Sequence, residues 1–208
     1  MAKHNLNIDC LECERDDRVL FTGLSFTLAD GEIVQVVGPN GSGKTTLLRI
    51  LAGLFGSYEG GIFWCGNNIV GNLEYKSELL YLGHKSAIKA SLTVIENLRF
   101  LVGMHQTFSE GELFDALAQV DLAGYEHSLC QNLSAGQQRR VALARLYISK
   151  AKLWILDEVF TAIDLQGVAE LEQHLALSAK SGVSILLTTH HQLAIEGVRR
   201  IHLGAGDV

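Results

Sequence analysis

A glycine-rich segment at positions 38–46, GPNGSGKTT, has the residue types that bind phosphate. It fits the pattern G-x-x-x-x-G-K-[ST], after an apolar strand-like run and before a helical run, which is the context that this pattern requires. Glycines let backbone N–H groups turn towards phosphate oxygens, a lysine supplies positive charge, and a threonine hydroxyl binds Mg²⁺. The segment therefore predicts a nucleoside triphosphate site. Its members are Gly38, Pro39, Asn40, Gly41, Ser42, Gly43, Lys44, Thr45 and Thr46.

Two acidic residues end the apolar run KLWILDE at 152–158. Ligands of open α/β sheets bind beyond the carboxyl ends of the parallel strands. We therefore expect Asp157 to hold Mg²⁺, directly or through water, together with Thr45, and Glu158 to orient and deprotonate the attacking water. A solvated strand end is the alternative for such a pair alone, and the phosphate segment argues against it. His190 ends another apolar run, LLTTHH, and is expected beside the γ-phosphate.

A second candidate anion site lies at 133–137, where LSAGQ opens into a helical run. A serine hydroxyl, a flexible glycine and unpaired N–H groups at a helix N-terminus together suit an anion. Because the chain already has one phosphate segment, the sequence raises the question of which phosphate this second site binds. Its members are Leu133, Ser134, Ala135, Gly136 and Gln137.

The elements that must position these residues alternate between short β-rich runs and helical periods, which predicts an α/β fold. Strands are expected in the runs NIDCLE, LSFTLA, EIVQVVG, GGIFWCG, ELLYLG, KLWILD and VSILLTT. Helices are expected at 43–54, 94–104, 110–120, 135–149 and 165–179. Three continuous apolar runs indicate central parallel strands buried on both faces. The region from about 87 to 130 is predicted to be a helical subdomain inserted in this core.

Composition narrows the possible partners and location. The chain has 208 residues and a formal net charge of -6, which argues against a nucleic acid partner. No apolar run is long enough to span a bilayer and no secretory signal is evident, so we expect a cytoplasmic protein that reaches a membrane only through a partner. Cys10 and Cys13 form a C-x-x-C within a strand-like run, where they are predicted to point to opposite faces as structural residues.

Taken together, these motifs resemble the nucleotide-binding subunit of an ATP-binding-cassette (ABC) transporter. The likeness covers essentially the whole chain, which implies one nucleotide-binding domain over 1–208. It implies an ABC-type P-loop NTPase fold, with a mostly parallel core sheet, an antiparallel β subdomain and an inserted helical subdomain. The LSAGQ segment matches the family signature, Asp164 lies in the matching D-loop, and His190 matches the switch histidine. ATP and Mg²⁺ are the implied cofactors.

The resemblance also answers the question of the second anion site. It implies a head-to-tail homodimer in which the signature of one copy closes over ATP held by the phosphate segment of the other. Ser134 and the amides at 135–137 would then meet the γ-phosphate, and Gly136 would be small because backbone approaches phosphate there. Lys44, Glu158 and His190 would carry the ATP hydrolysis of this translocase.

Four positions depart from the family pattern. Arg15 stands where an aromatic residue usually stacks on adenine; a guanidinium can also stack on a base. Ala135 replaces the first glycine of the signature, and Val159 follows the catalytic acid where proline is frequent. His84 replaces the loop glutamine. It could contact metal-bound water and sense protons, or its ring could simply fill the space of the glutamine.

Within the family, the chain looks most like the ATP-binding subunits of the haem exporter of cytochrome c maturation. That implies integral membrane partners, a peripheral position on the cytoplasmic face of the bacterial inner membrane, and a role in haem delivery without direct haem binding. Docking is expected at 83–100, with Ile88, Leu92, Val94 and Leu98 as candidates and some of them core. The alternatives are an ABC ATPase for another cargo, a non-transport ATP-dependent clamp, or a non-hydrolysing scaffold.

Overall fold

A computed structural model describes residues 5–104 and 106–204. The chain divides into two compact units. The first unit is drawn from Met1–Tyr81, Ala151–Glu158 and Glu172–Val208, and the second from Leu82–Lys150 and Val159–Leu171. The second unit thus interrupts the first twice along the sequence, and the helical region predicted at 87–130 falls within it.

The described residues contain nine strands and six α-helices. The strands are β1 Leu6–Arg15, β2 Arg18–Leu28, β3 Ile33–Val37, β4 Glu59–Trp64, β5 Asn67–Asn68, β6 Leu79–Leu82, β7 Leu153–Asp157, β8 Ser184–Thr188 and β9 Arg199–His202. The helices are α1 Lys44–Leu51, α2 Leu73–Glu78, α3 Val94–Gly103, α4 Glu110–Ala118, α5 Ala135–Ile148 and α6 Leu165–Lys180.

A five-stranded sheet in the order β6-β7-β8-β3-β9 lies almost wholly within the first unit. The pairs β7–β8, β8–β3 and β3–β9 are parallel. Every residue of β7 and of β8 is buried, as expected for central strands covered on both faces. Because the strands are parallel, β3, β7 and β8 end at the same edge, and the predicted phosphate and acidic residues follow them there.

A second sheet of the first unit has the order β2-β1-β4-β5 and is antiparallel. One side of it faces the core: Leu6, Ile8 and Leu11 of β1 are buried in the same cluster as Leu47 and Leu48 of α1. On β1, Cys10 is exposed and Cys13 is buried, as the sequence predicted. Within the described residues, no cluster of three or more His, Cys, Asp or Glu residues could hold a metal.

The second unit is built from α3, α4 and α5, each of which begins at a capping box. In each box a Ser or Thr accepts from the backbone N–H three residues on, and the Glu or Gln there accepts from the cap N–H. The buried face of α3 includes Val94 and Leu98, both 0% exposed. These two candidates for docking are therefore ordinary core residues, whereas Ile88 and Leu92 are partly exposed.

Three short elements were not predicted: α2, β5 and β9. Helix α2 has six residues and β5 two, too few for a periodic pattern. Strand β9 has the sequence RRIH and pairs in parallel with β3 at the edge of the sheet. It was missed because two of its four residues are arginines, which give no apolar strand pattern. Among the described residues, no helix is both long and apolar enough to cross a bilayer.

Candidate nucleotide site

The phosphate segment is a loop between the end of β3 and the start of α1. Gly41 and Gly43 have φ values of +81° and +95°, a backbone region that side chains disfavour. A Cβ atom on Gly43 would also lie 3.1 Å from Cβ of Leu20. No side chain caps the N-terminus of α1, so its first N–H groups point into the loop. The Lys44 ammonium donates to the Gly38 and Pro39 carbonyls, at 2.7 and 3.0 Å.

The Asp157 carboxylate lies beside this loop and is 1% exposed. Its Oδ1 accepts hydrogen bonds from the Thr188 hydroxyl at 2.7 Å and the Thr45 hydroxyl at 3.2 Å. Its Oδ2 is buried and has no hydrogen-bond partner among the described residues. Burial, and after it the charge of Asp157, raises the pKa of Tyr81, so this phenol stays neutral.

A buried carboxylate oxygen without a donor is costly unless a cation meets it. Mg²⁺ prefers oxygen ligands, and the Asp157 carboxylate and the Thr45 hydroxyl form such a set. These two residues therefore fit the metal that the sequence predicted.

Glu158 and His190 lie together at the ends of β7 and β8. Glu158 has a φ of +53°, which is unusual for a residue with a side chain, and its N–H donates to the Thr188 carbonyl at 3.1 Å. The Glu158 carboxylate accepts from the His190 N–H at 3.3 Å and lies 3.6 Å from the imidazole Nε2. The His190 side chain is 68% exposed, so it can reach a ligand while its backbone is held.

These residues surround one cleft of about 480 Å³ in the first unit. It brings together nine of the predicted site residues, namely Arg15, Asn40, Gly41, Gly43, Lys44, Thr45, Thr46, Glu158 and His190. Asp16, Arg18 and Leu20 also line it and were not predicted. A signal for the two charged residues was present: the segment RDDR at 15–18 puts four charges at one hairpin tip.

The loop that carries His190 is anchored to α6 through Glu172, another residue that the sequence did not single out. The Glu172 Oε1 accepts from the Ala194 N–H at 2.8 Å and lies 3.3 Å from Nε2 of His191. The Thr189 hydroxyl accepts from the His191 N–H at 2.9 Å. The loop is thus held on both sides of His190, and no local pattern revealed this because Glu172 is distant in sequence.

The signature segment belongs to the second unit and begins α5. The Ser134 hydroxyl accepts from the Gln137 N–H at 3.2 Å, and the Gln137 Oε1 accepts from the Ser134 N–H at 3.0 Å. The capping box thus fixes the start of the helix and leaves the N–H groups of Ala135 and Gly136 outside it. A Cβ atom on Gly136 would lie 3.1 Å from the Ala162 carbonyl oxygen. This close contact is a reason for a small residue there besides the predicted approach to phosphate.

Asp164, also in the second unit, is held in place by its neighbours. Its carboxylate accepts from the Gly167 N–H at 3.3 Å and from the Arg140 guanidinium at 2.8 Å. The Gly167 N–H, followed by Arg140, lowers the pKa of Asp164, which therefore stays ionised. Arg140 also pairs with Asp121, so one guanidinium joins Asp164 to the turn that follows α4.

His84 lies in the second unit with its side chain exposed. The buried Arg139 guanidinium donates to the Gly83 and His84 carbonyls at 3.3 and 3.4 Å, which holds this loop at its backbone. The contact of His84 with metal-bound water stays a prediction. Val159, which follows the predicted catalytic residue Glu158, is 0% exposed and belongs to the core.

Comparison with known proteins identifies the family of this chain. The ABC transporter family matches residues 21–161. The chain is 54% identical over 197 residues to the cytochrome c biogenesis ATP-binding export protein CcmA of Hahella chejuensis, covering 94% of this chain and 93% of that one. It is 53% identical over 202 residues to the protein of the same name in Aliivibrio fischeri, covering 96% and 99%.

A solved ATP-binding subunit of an ABC transporter superposes with a TM-score of 0.83 at 25% identity, covering 95% of this chain and 85% of that chain. The predicted α/β fold, with its mostly parallel and its antiparallel sheet, is confirmed. The chain belongs to the ABC transporter family, among the cytochrome c biogenesis ATP-binding export proteins of the CcmA type.

Proposed function

We propose that two copies of this chain bind two ATP molecules head to tail and hydrolyse them with Mg²⁺. The observation that carries this proposal is the buried Asp157 carboxylate, which has one oxygen without a donor and the other 3.2 Å from the Thr45 hydroxyl. A group of this kind beside a phosphate loop is stabilised when a cation arrives with the nucleotide. The metal would neutralise charge on the phosphate oxygens during transfer.

The residues of the cleft divide the work of hydrolysis. The loop N–H groups and the Lys44 ammonium bind the phosphates, and this lysine is already held at the loop by two carbonyls. Glu158 takes the proton of the attacking water, since it lines the cleft directly after Asp157 in the sequence. His190 contacts the γ-phosphate from the exposed position that its backbone bond to Glu158 maintains.

The signature of a second copy completes each site. The capping box of α5 does not involve the N–H groups of Ala135 and Gly136, and the positive end of the helix dipole favours the γ-phosphate. Asp164 lies near this helix start through Arg140 and takes part in the same interface. Each complete ATP site therefore combines the phosphate loop and Asp157 of one copy with the signature of the other. A single copy contributes one part to each of two sites and completes neither.

We further propose that the chain supplies ATPase work to integral membrane subunits of a cytochrome c maturation exporter, from the cytoplasmic face of the inner membrane. The relatives at 53–54% identity are named as export proteins of cytochrome c biogenesis. The membrane subunits would select the cargo, and haem would not bind this chain. Isolation of the tagged chain from membranes in mild detergent should recover such subunits; recovery of the membrane subunits of another transporter would reject this cargo.

The Glu158→Gln variant tests the catalytic assignment. It should bind ATP and accumulate as an ATP-bound dimer without turnover. The attacking water loses its base, while the phosphate loop of one copy and the signature of the other still contact the phosphates. Dimer formation is measured by light scattering coupled to gel filtration, and turnover by phosphate release. Turnover near the wild-type rate would show that Glu158 is not the base.

A mixture of two defective chains tests the shared site. Ser134→Arg blocks the signature and Lys44→Ala removes the phosphate contact, so a mixed dimer keeps one intact site while each variant alone keeps none. The mixture should therefore recover part of the ATPase rate. Full activity in either variant alone, as a monomer, would contradict the head-to-tail arrangement.

A further inference from the structure

Two arginines lie opposite each other at the tip of the hairpin that joins β1 to β2. Arg15 and Arg18 are register partners, and the turn between them consists of Asp16 and Asp17 with φ values of +53° and +57°. This is the two-residue turn with both central residues in the left-handed region that suits hairpins. Directly opposed residues of an antiparallel pair have their side chains on one face, and both arginines line the nucleotide cleft.

The charges of this hairpin tip are not balanced equally. The Nε of Arg15 lies 3.4 Å from the Asp16 carboxylate. Arg18 forms no ion pair in the part of the chain that the structure describes. Like charges directly opposite each other destabilise a hairpin. The protein thus maintains, at a cost in stability, a cation that faces the cleft without an anion of its own.

Arg18 lies close to the loop that is expected to bind the phosphates of the nucleotide. A Cβ atom built on Gly41 would lie 3.9 Å from Nη1 of Arg18, so the guanidinium lies over the phosphate loop. Lys44 reaches the same loop from α1. A guanidinium holds its donors in one plane and matches two phosphate oxygens with two parallel hydrogen bonds, whereas an ammonium acts as a point charge without this fixed geometry.

We propose that Arg18, together with Lys44, binds the polyphosphate of the nucleotide. Arg18 thereby favours ligands that carry a polyphosphate, whatever base or sugar is attached to it. The inference rests on the proposed function, because it requires the nucleotide to occupy this cleft. Arg18 binds oxygens of the polyphosphate, and their negative charge offsets the repulsion between Arg18 and Arg15. This repulsion is therefore present without nucleotide and is reduced when nucleotide binds.

Binding of two ligands to Arg18→Gln tests this role, with the purified chain and isothermal calorimetry at one fixed salt concentration. The ligands are ATP and inorganic triphosphate, which lacks a base and a sugar. Loss of a hydrogen bond to a charged group should weaken both about tenfold. Arg99→Gln is the matched control, since it removes one exposed arginine that pairs with Glu110 on another element. It should leave both affinities within about threefold. The melting temperature of Arg18→Gln without nucleotide should equal or exceed that of the wild type.

Three results would overturn the inference: a loss under about threefold on either ligand, a lower melting temperature without nucleotide, or a wild-type chain that binds ATP but no triphosphate. The Lys44→Ala variant separates this failure from failure of the proposed function. When the wild type binds ATP and Lys44→Ala does not, the cleft is the nucleotide site whatever Arg18→Gln shows. A wild-type chain that does not bind ATP would reject both.

Discussion

The hydrogen bond between Thr188 and Asp157 provides a sharp test of how Asp157, the proposed metal ligand, is positioned. Thr188 is 0% exposed, and its hydroxyl donates to the Asp157 Oδ1 at 2.7 Å while accepting from the Glu158 N–H at 3.1 Å. Replacement by valine preserves the shape of the side chain and removes the hydroxyl. The Glu158 N–H keeps the Thr188 main-chain carbonyl, so the principal loss is the bond to the carboxylate.

The expected cost follows from this geometry. A hydrogen bond to a charged group contributes about 1.5–3 kcal/mol. For a chain of this size, about 2 kcal/mol corresponds to a fall in melting temperature of roughly 4–8 °C. Asp157 also loses the group that orients it, and loss of such a partner typically weakens metal affinity about 10- to 100-fold. Thr188→Val should therefore unfold earlier and require more Mg²⁺.

The assay uses thermal unfolding with and without ATP. The melting temperature of Thr188→Val without ligand gives the stability term, and the Mg²⁺ concentration for half of the ATP-induced rise gives the metal term. Thr188→Ser is the matched control: it keeps the hydroxyl and loses one methyl group, at about 1 kcal/mol. It should keep the wild-type Mg²⁺ dependence. If Thr188→Val and Thr188→Ser require the same Mg²⁺ concentration, Thr188 does not position the proposed metal ligand and the reasoning is wrong.

Two further predictions concern stability. Gly136→Ala should lower the unfolding free energy by about 1 kcal/mol, because its Cβ would lie 3.1 Å from the Ala162 carbonyl oxygen. Gly111→Ala, at the equivalent position of α4 with only a contact at 4.0 Å, should instead raise it by up to about 1 kcal/mol; equal melting temperatures in the two variants would contradict this contact. Glu32 is partly desolvated, which opposes ionisation, but the Arg199 guanidinium at 2.5 Å outweighs this and lowers the pKa of Glu32. The ion pair thus contributes stability that is present above the unfolded-state pKa and is lost as the pH falls through the lowered pKa of the folded state. The wild type should therefore lose more stability than Glu32→Gln as the pH falls from neutral to below the ordinary pKa of glutamate; parallel pH profiles of thermal unfolding would refute the role of this ion pair.

The phosphate loop could be predicted from sequence because its requirements are local. Gly41 and Gly43 meet a backbone demand within a few residues, and the strand and helix that flank them appear as periodic runs. The same holds for the predicted helix start at 135, where the structure adds a capping box at Ser134 whose two hydrogen bonds span three residues. The family resemblance arises from such short motifs, and the comparisons confirm it.

Other parts of the site depend on contacts between distant residues, so no short pattern predicts them. The Thr188 hydroxyl meets Asp157 only because β7 and β8 are parallel neighbours in register, with these two residues paired. Glu172 anchors the loop of His191 from a helix nineteen positions earlier. Arg18 faces the cleft because an Asp-Asp turn pairs it with Arg15.

The amino-acid sequence by itself determined that this chain binds a nucleotide phosphate, alternates strands with helices and belongs to its family. Each of these conclusions depends on residue types at fixed short spacing. The tertiary structure decided which carboxylate oxygen is left without a donor, why Gly136 must be small beside Ala162, and that Val94 and Leu98 belong to the core. These features depend on packing between elements far apart in the chain, and packing is a property of the folded molecule.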